Sequence, residues 1–155
     1  GYANLRDDVW LWGGSLDEIH GTIRTGVRSG QEGAPELMMP AFGRDQMLSP
    51  AQVDDVTEFV MAISRRKADR AAVMRGGEIY QAQCAACHGP AGKGDGQKGA
   101  PDLTDGEWLY GGRREEIHAQ IWDGKNGVMP AWKDRFDPET VKALAVYIHA
   151  NAGGQ

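Results

Sequence analysis

The stretch Cys84-Ala85-Ala86-Cys87-His88 holds both cysteines of this 155-residue chain, and it decides the fold. Two thiols three positions apart, followed directly by an imidazole, are compatible with three kinds of site. A thioredoxin-type redox pair would follow a β-strand within a βαβ unit. A structural zinc site would need further ligands elsewhere in the chain. The third kind is the attachment site of a c-type haem, for which Cys-x-x-Cys-His is the signature.

The surroundings of this motif favour haem attachment. Residues 71–83 are predicted to be helical, because Val73, Gly77 and Tyr80 recur every three or four positions. The sequence holds no second cysteine pair and no His-x3–5-His run to complete a zinc site. In a haem site each thiol adds to one vinyl group, and the next residue, His88, becomes the proximal iron ligand. We therefore predict one haem c attached through Cys84 and Cys87.

An electron carrier needs a second axial ligand, and Met129 in Gly127-Val128-Met129-Pro130-Ala131-Trp132 is the first candidate. It follows His88 by 41 residues, which leaves room for the chain to reach the other haem face. The alternatives are that Met129 only fills space in the core, as methionines commonly do, or that His118 is the ligand. Met129 is favoured over His118 because cytochromes c commonly pair methionine with histidine.

The segment after the motif has features that suit a haem pocket. Residues 89–99 contain five glycines but fit no phosphate-binding pattern, which indicates sharp turns and close approach of the backbone to the haem. Pro101 ends this loop, and a carbonyl there is expected to accept a hydrogen bond from His88 Nδ1. Candidate partners of the haem propionates, with packing or solvent exposure as the alternative, are Trp108, Tyr110, Arg113 and Arg114.

The chain contains an internal repeat. Trp10-Leu11-Trp12-Gly13-Gly14 returns 98 residues later as Trp108-Leu109-Tyr110-Gly111-Gly112, and Met39-Pro40-Ala41-Phe42 returns 90 residues later as Met129-Pro130-Ala131-Trp132. A position 98 residues before Cys84 would precede residue 1. We therefore expect the attachment motif of the first copy to lie upstream of this chain, the alternative being that the first copy has lost its haem site. Met39 is the expected axial ligand of that first haem, with the adjacent Met38 as the alternative.

The sequence predicts an all-α protein with two domains, at residues 1–66 and 67–155, joined by a charged stretch at 65–70. Its signals are N-capping residues and apolar faces with helical spacing. Three of the expected helices run from Ser15 to about Val27, from about Asp69 to Ala86, and from Glu115 to Trp122. A fourth begins at Ser49-Pro50 and has one apolar face, made of Val53, Val56, Val60 and Ile63. The last begins at Asp137-Pro138, and its inward-facing residues are Val141, Leu144, Tyr147 and Ile148.

Composition excludes some classes of function. The chain has 17 Lys and Arg against 22 Asp and Glu, a formal net charge of −5, which argues against a nucleic-acid-binding protein. The sequence also lacks any run near the roughly 18 apolar residues of a membrane-spanning helix.

With these residues in view, positions 71–151 resemble a class I c-type cytochrome. The resemblance rests on Gly77-x-x-Tyr80, the Cys84–His88 motif, Pro101-Asp102-Leu103, Met129-Pro130 and Tyr147. The tandem copies resemble the dihaem subunit III of cbb3-type cytochrome c oxidases, here with the first domain lacking its N-terminal haem-attachment part.

The resemblance implies one-electron transfer to the catalytic haem–copper subunit of a terminal oxidase, on the periplasmic side of the bacterial inner membrane. It implies a membrane anchor and a second haem upstream, other oxidase subunits as partners, and a soluble cytochrome as candidate electron donor. No catalytic site is expected on this chain itself. The alternatives are the cytochrome domain of a periplasmic dehydrogenase, and a haem enzyme or gas sensor with an open iron site.

Overall fold

The computed structural model describes residues 3–7, 9–152 and 154. Its secondary structure is helical: the described residues form no β-strand, only isolated bridges between Val27 and Met129 and between Asp95 and Ala100, which confirms the predicted helical class. None of the described helices combines the length and apolarity needed to cross a bilayer. The helices are α1 (Leu16–Thr25), α2 (Pro50–Ile63), α3 (Arg70–Gln83), α4 (Ala85–His88), α5 (Arg114–Asp123) and α6 (Pro138–Asn151).

Three of these helices begin where the sequence signals place them. The Ser15 hydroxyl accepts the Glu18 N–H, and the Glu18 carboxylate accepts the Ser15 N–H in return. Ser49 and Gln52 make the same reciprocal pair at the start of α2, and the Asp137 carboxylate accepts the Thr140 N–H at the start of α6. Because these contacts satisfy backbone donors that have no partner within the helix, they fix each helix start locally.

The prediction of one helix from Asp69 to Ala86 is wrong at Cys84. Helix α3 ends at Gln83, and the separate single turn α4 begins at Ala85. Cys84 has a φ of −114°, and its carbonyl accepts the N–H groups of Cys87 and His88 at 3.1 and 2.9 Å. A new turn therefore starts on the Cys84 carbonyl, so that both thiols and the imidazole leave the backbone from one short segment.

The described residues form two compact units. The first takes residues from 1–37, 96–99 and 127–155, and the second takes residues 38–95 and 100–126. These units do not follow the boundary at residues 66 and 67 that was predicted from the repeat. The chain instead enters the second unit near residue 38 and returns to the first near residue 127.

In the second unit, α2 packs against both α3 and α5. Its core contains the fully buried ring of Tyr80 and the predicted apolar face of α2, of which Ile63 is only half-buried. The buried core residues are Phe42, Leu48, Val53, Val56, Val60, Tyr80, Ile117 and Ile121.

In the first unit, α1 packs against α6 through Ile19, Ile23, Val141 and Ala145. The predicted inward position of Tyr147 is wrong, because 67% of that residue is exposed. Helix α6 turns the Val141 and Ala145 side to α1, and Tyr147 leaves the helix on the other side. The residues that pack around this core are Trp10, Met129, Trp132, Leu144 and Ile148.

Candidate haem-attachment site

The single turn α4 carries the three residues of the motif. Cys84 precedes the turn and Cys87 and His88 close it, so all three side chains leave from within five consecutive positions. The cysteines are half-buried, and Cys84 packs against the core of the second unit. The turn thus holds two thiols and one imidazole against an apolar wall, the donor set from which a covalently attached haem is held.

The imidazole of His88 is fixed through one of its nitrogens. Nδ1 lies 3.1 Å from the carbonyl oxygen of Pro101. Because a carbonyl can only accept, Nδ1 carries the proton in this contact and Nε2 keeps a free lone pair. Burial lowers the pKa of His88, while the Pro101 contact acts in the opposite direction. A neutral ring with Nε2 available is the form that binds a metal ion, and a partner at the other nitrogen fixes its orientation.

The Cys84 thiol does not have the lowered pKa of a reactive redox thiol. Burial, followed by the effect of Cys87, raises the pKa of the Cys84 thiol to about 11, whereas reactive thiols of the thioredoxin type have lowered pKa values. Within the part of the chain that the structure describes, no group of three or more His, Cys, Asp or Glu side chains is arranged to hold a metal ion. The zinc alternative would require such a group.

The glycine-rich loop folds back over the motif. The Tyr80 hydroxyl donates to the Gly89 carbonyl at 2.7 Å, and the Gly94 N–H donates to the His88 carbonyl at 2.8 Å. Burial raises the pKa of Tyr80 to about 12, so it remains a donor. Gly94 has a φ of +79°, and a Cβ there would lie 2.5 Å from the Ala100 carbonyl oxygen. Glycine is required at this position because of its backbone conformation and because nothing larger than hydrogen fits.

A buried, unpartnered donor lies in the same compact unit as the motif. Trp108 Nε1 is buried and has no hydrogen-bond partner among the described residues, which is rare for a buried N–H. The guanidinium of Arg66 lies 5.2 Å from the Trp108 ring centroid. Both residues line a surface cavity of about 700 Å³, together with Gly112 and Arg113. A haem propionate would supply the acceptor that Trp108 lacks, so these residues fit the group.

Arg66 was not predicted as a site residue. It lies in the charged stretch at 65–70, where several basic side chains follow one another and the sequence does not distinguish them. Arg66 follows closely after the end of α2, and this position in the sequence is the signal that could have identified it. Its guanidinium group lies over the Trp108 ring.

The two arginines predicted as propionate partners have carboxylate partners in the structure. Arg113 pairs with Glu116 at 2.6 Å, and 80% of its side chain is exposed. Arg114 pairs with Glu58 and lies 3.7 Å from Asp54. Both arginines line the cavity, and Arg114 also links α5 to α2.

The structure separates the candidate axial ligands. Met39 belongs to the unit that contains His88 and packs against its core, while 62% of Met38 is exposed. Met129 belongs to the other unit and packs against its core. His118 is stacked on Trp122 with the ring centroids 5.8 Å apart, and its Nε2 lies 3.6 Å from Asp54.

A network of charges joins α2 to its neighbours in the second unit. Glu58 accepts the Asp69 N–H at 2.8 Å and pairs with Arg114. These two contacts, the Asp69 bond first, hold the pKa of Glu58 below its ordinary value of 4.5. The Asp55 carboxylate accepts two hydrogen bonds from Arg75, at 2.8 and 2.6 Å, and this lowers its pKa from 3.8.

We expect acid to destabilise the second unit through these carboxylates. Because their pKa values are lower in the folded state, their stabilisation is complete above about pH 4.5 and is lost as the pH falls through the folded values. Glu58→Gln should lower the free energy of unfolding at neutral pH by about 1–2 kcal/mol and flatten its acid dependence. Urea unfolding at several pH values measures both effects. The exposed Glu78→Gln on α3 is the control, and an equal effect there would contradict the assignment.

A short Cys-x-x-Cys-His turn whose imidazole is oriented through Nδ1, on a helical scaffold with a glycine-rich loop over the motif, is the arrangement of a c-type cytochrome. Residues 71–148 match the family described as cytochrome c oxidase, cbb3-type, subunit III. The chain belongs to this family.

Curated relatives match over the whole chain. The cbb3-type cytochrome c oxidase subunit FixP of Azorhizobium caulinodans is 47% identical over 156 residues, covering 100% of this chain and 53% of the relative. FixP of Bradyrhizobium sp. is 46% identical with 54% of its length covered, and subunit CcoP of Azospirillum sp. is 43% identical with 55% covered. The chain spans about half the length of the curated relatives that it matches.

Proposed function

We propose that this chain carries one covalently attached haem c and passes single electrons to the catalytic haem–copper subunit of a cbb3-type terminal oxidase. The observation that carries this function is the geometry at His88, whose Nδ1 contacts the Pro101 carbonyl and whose Nε2 is available to iron. The partner follows from the relatives, which are named as subunits of cbb3-type cytochrome c oxidases.

Each residue of the site has a role in this proposal. Cys84 and Cys87 form the two thioether bonds, His88 is the proximal ligand, and the Pro101 carbonyl holds its ring in place. A methionine from one of the two Met-Pro-Ala segments is the distal ligand: the order of residues in the sequence favours Met129, whereas Met39 belongs to the compact unit that contains His88. Trp108 Nε1 and the guanidinium groups of Arg66 and Arg113 are the donors that we assign to the propionates, since the Trp108 donor is unpartnered and all three residues line one cavity.

When bound, the haem supplies an iron that takes up and releases one electron. With His88 and a methionine both bound to it, the iron would have no position left for a substrate. The chain itself then has no catalytic site, and its residues set the reduction potential through ligation and burial. Contacts with partners would be brief and of small area, as is usual for electron transfer.

We place the site on the periplasmic side of the inner membrane, with a membrane anchor and a second haem in the part of the protein upstream. Covalent haem attachment takes place outside the cytoplasm, and the relatives are longer than this chain. The partners are then the other oxidase subunits, with a soluble cytochrome as electron donor.

Carbon monoxide binding and electron transfer test this function. We expect the absorption spectrum of the haem-loaded, reduced chain to stay unchanged when carbon monoxide is added, because both axial positions of the iron would be occupied by side chains. It should be reoxidised in air only when the haem–copper subunit is added. Rapid carbon monoxide binding would instead identify an enzyme or sensor with an open site. Reduction by a periplasmic dehydrogenase, without electron transfer to the oxidase, would favour the other carrier function.

A further inference from the structure

The direction of the Pro101 carbonyl depends on how the next residue is held. This carbonyl, which accepts the His88 Nδ1–H at 3.1 Å, shares one planar peptide group with the nitrogen of Asp102. The proline ring fixes its own φ, so the main freedom left to the carbonyl is rotation about ψ of Pro101 and φ of Asp102. Contacts that fix Asp102 therefore also aim the acceptor of the His88 hydrogen bond.

The Asp102 side chain is held by two neighbouring residues. Its Oδ1 accepts the Thr104 N–H and the Thr104 hydroxyl, both at 2.6 Å, and its Oδ2 accepts a bond from Lys93 Nζ at 3.2 Å. Lys93 Nζ also donates to the Thr104 hydroxyl oxygen at 2.6 Å. The three side chains thus form a closed ring of hydrogen bonds.

Asp102 is a carboxylate at neutral pH. Burial would raise the pKa of Asp102, but the bonds from Thr104 and then from Lys93 outweigh burial and hold the pKa below its ordinary value of 3.8. The bond with Lys93 is therefore an ion pair, and it connects the two sides of the glycine-rich loop.

The backbone is in close contact on both sides of this ion pair. The Leu103 N–H donates to the Gly92 carbonyl at 2.7 Å. A Cβ on Gly94 would lie 2.7 Å from the carbonyl carbon of Pro101 and 2.8 Å from the nitrogen of Asp102. The peptide group that carries the Pro101 carbonyl therefore lies directly against the backbone of Gly94, the residue after Lys93.

We propose that Lys93 and Asp102 are positioning residues for the proximal histidine: their ion pair holds the Pro101 carbonyl on His88 Nδ1 and thereby lowers the reduction potential of the haem. This inference rests on the proposed function, because it concerns the iron that His88 would bind. The partner of the imidazole is the Pro101 carbonyl, so both side chains act through that carbonyl.

The sign of the effect follows from the chemistry of the imidazole. A hydrogen bond from Nδ1 makes His88 a more basic ligand, and a more basic ligand stabilises ferric over ferrous iron, which lowers the reduction potential. Loosening this bond therefore raises the potential. The direct effect of charge differs, since loss of the Lys93 cation would lower the potential and loss of the Asp102 anion would raise it. Removal of Lys93 separates the two effects by their sign.

The first copy of the repeat shows that the local turn does not need a carboxylate. Asn4 corresponds to Asp102 at the spacing of 98 residues, and its amide oxygen accepts the Arg6 N–H at 3.1 Å. This bond matches the one from the Thr104 N–H to Asp102. Asp102→Asn can therefore keep the turn, while the amide nitrogen cannot accept a bond from Lys93 Nζ.

Redox titration of the haem-loaded chain tests the inference. We expect Lys93→Met and Asp102→Asn each to raise the reduction potential. The double variant should raise it by no more than the larger single effect, because both substitutions loosen the same contact. Lys93→Arg keeps a cationic donor and should retain the original potential. Lys67→Met, which removes an exposed lysine from the same unit, is the charge control and should not raise it.

Two results of this titration would overturn the inference. One is a lowered potential in Lys93→Met and a raised potential in Asp102→Asn, with the double variant near the original value, because a direct effect of charge alone gives that pattern. The other is an unchanged potential in both single variants. A loss of stability cannot stand in for either result, because the Lys93 side chain is 69% exposed and exposed ion pairs contribute little to stability.

Solvent exchange of the His88 Nδ1 proton, followed by nuclear magnetic resonance, gives a second measurement. We expect faster exchange in Lys93→Met and Asp102→Asn than in the unsubstituted chain and in Lys67→Met, because the bond to the Pro101 carbonyl opens more often. Equal exchange rates would overturn the inference and leave the proposed function intact. Absence of covalent haem from the unsubstituted chain would instead overturn the proposed function.

Discussion

Replacing both Cys84 and Cys87 by serine is expected to abolish covalent haem attachment. Serine hydroxyls do not form the thioether bonds that hold a c-type haem, and α4 offers no other thiol. The chain should lose all peroxidase staining for haem on denaturing gels, and its mass should equal that of the polypeptide alone. The expected effect is complete, because nothing else links the haem covalently to the chain.

Single substitutions and an exposed control make this result specific. Cys84→Ser and Cys87→Ser should each retain at most one thioether bond, while Met74→Leu, at a position 77% exposed, should keep the full mass of the haem-loaded chain. An unsubstituted chain that matures without any bound haem, or that purifies with zinc instead, would refute the attachment site.

Substitution of Gly76 by alanine should lower the free energy of unfolding more than the other substitutions proposed for this chain. The added Cβ would lie 2.0 Å from the Asp55 carbonyl oxygen and 3.0 Å from the Cβ of Phe59. Because the nearest atom belongs to a helix backbone, α2 and α3 must move apart. Overpacking of this kind costs about 1–3 kcal/mol, and more where the backbone itself must shift. Urea unfolding followed by far-ultraviolet circular dichroism measures the loss.

Gly106→Ala is the matched control in the same unit. A Cβ at Gly106 would meet no atom within 4 Å, and its φ lies outside the left-handed region. The free energy of unfolding of the Gly106→Ala variant should stay the same or rise by up to about 1 kcal/mol, because alanine lowers the conformational entropy of the unfolded chain. Equal stability of the Gly76 and Gly106 variants would show that the two helices do not cross closely at Gly76.

The local features of this fold could be predicted because they depend on neighbouring residues. The capping pairs of Ser15 with Glu18 and of Asp137 with Thr140 join residues three positions apart, so the sequence alone places those helix starts. The contact of His88 Nδ1 with a carbonyl near Pro101 could be anticipated for a related reason. A histidine that binds iron through one nitrogen needs an acceptor at the other.

The pairing of helices could not be predicted from the apolar pattern. Helices α2 and α6 present similar apolar faces, with Val53 in the place of Val141 and Phe59 in the place of Tyr147, so periodicity does not say which of them packs on Tyr80. For the same reason Tyr147 was expected inside and is exposed. The distinguishing information lies in Asp55 and Glu58, whose role becomes visible only beside their arginine partners.

The hydrogen bonds between Asn126 and Met39 affect how far local unfolding can spread through the protein. Residues 38 and 126 are the first and last residues of the second unit, which the chain leaves in between only at residues 96–99, and the Asn126 amide bonds to the backbone of Met39. These two hydrogen bonds therefore join the two ends of segment 38–126. Fraying of α1 or α6 need not spread into the turn that carries Cys84, Cys87 and His88.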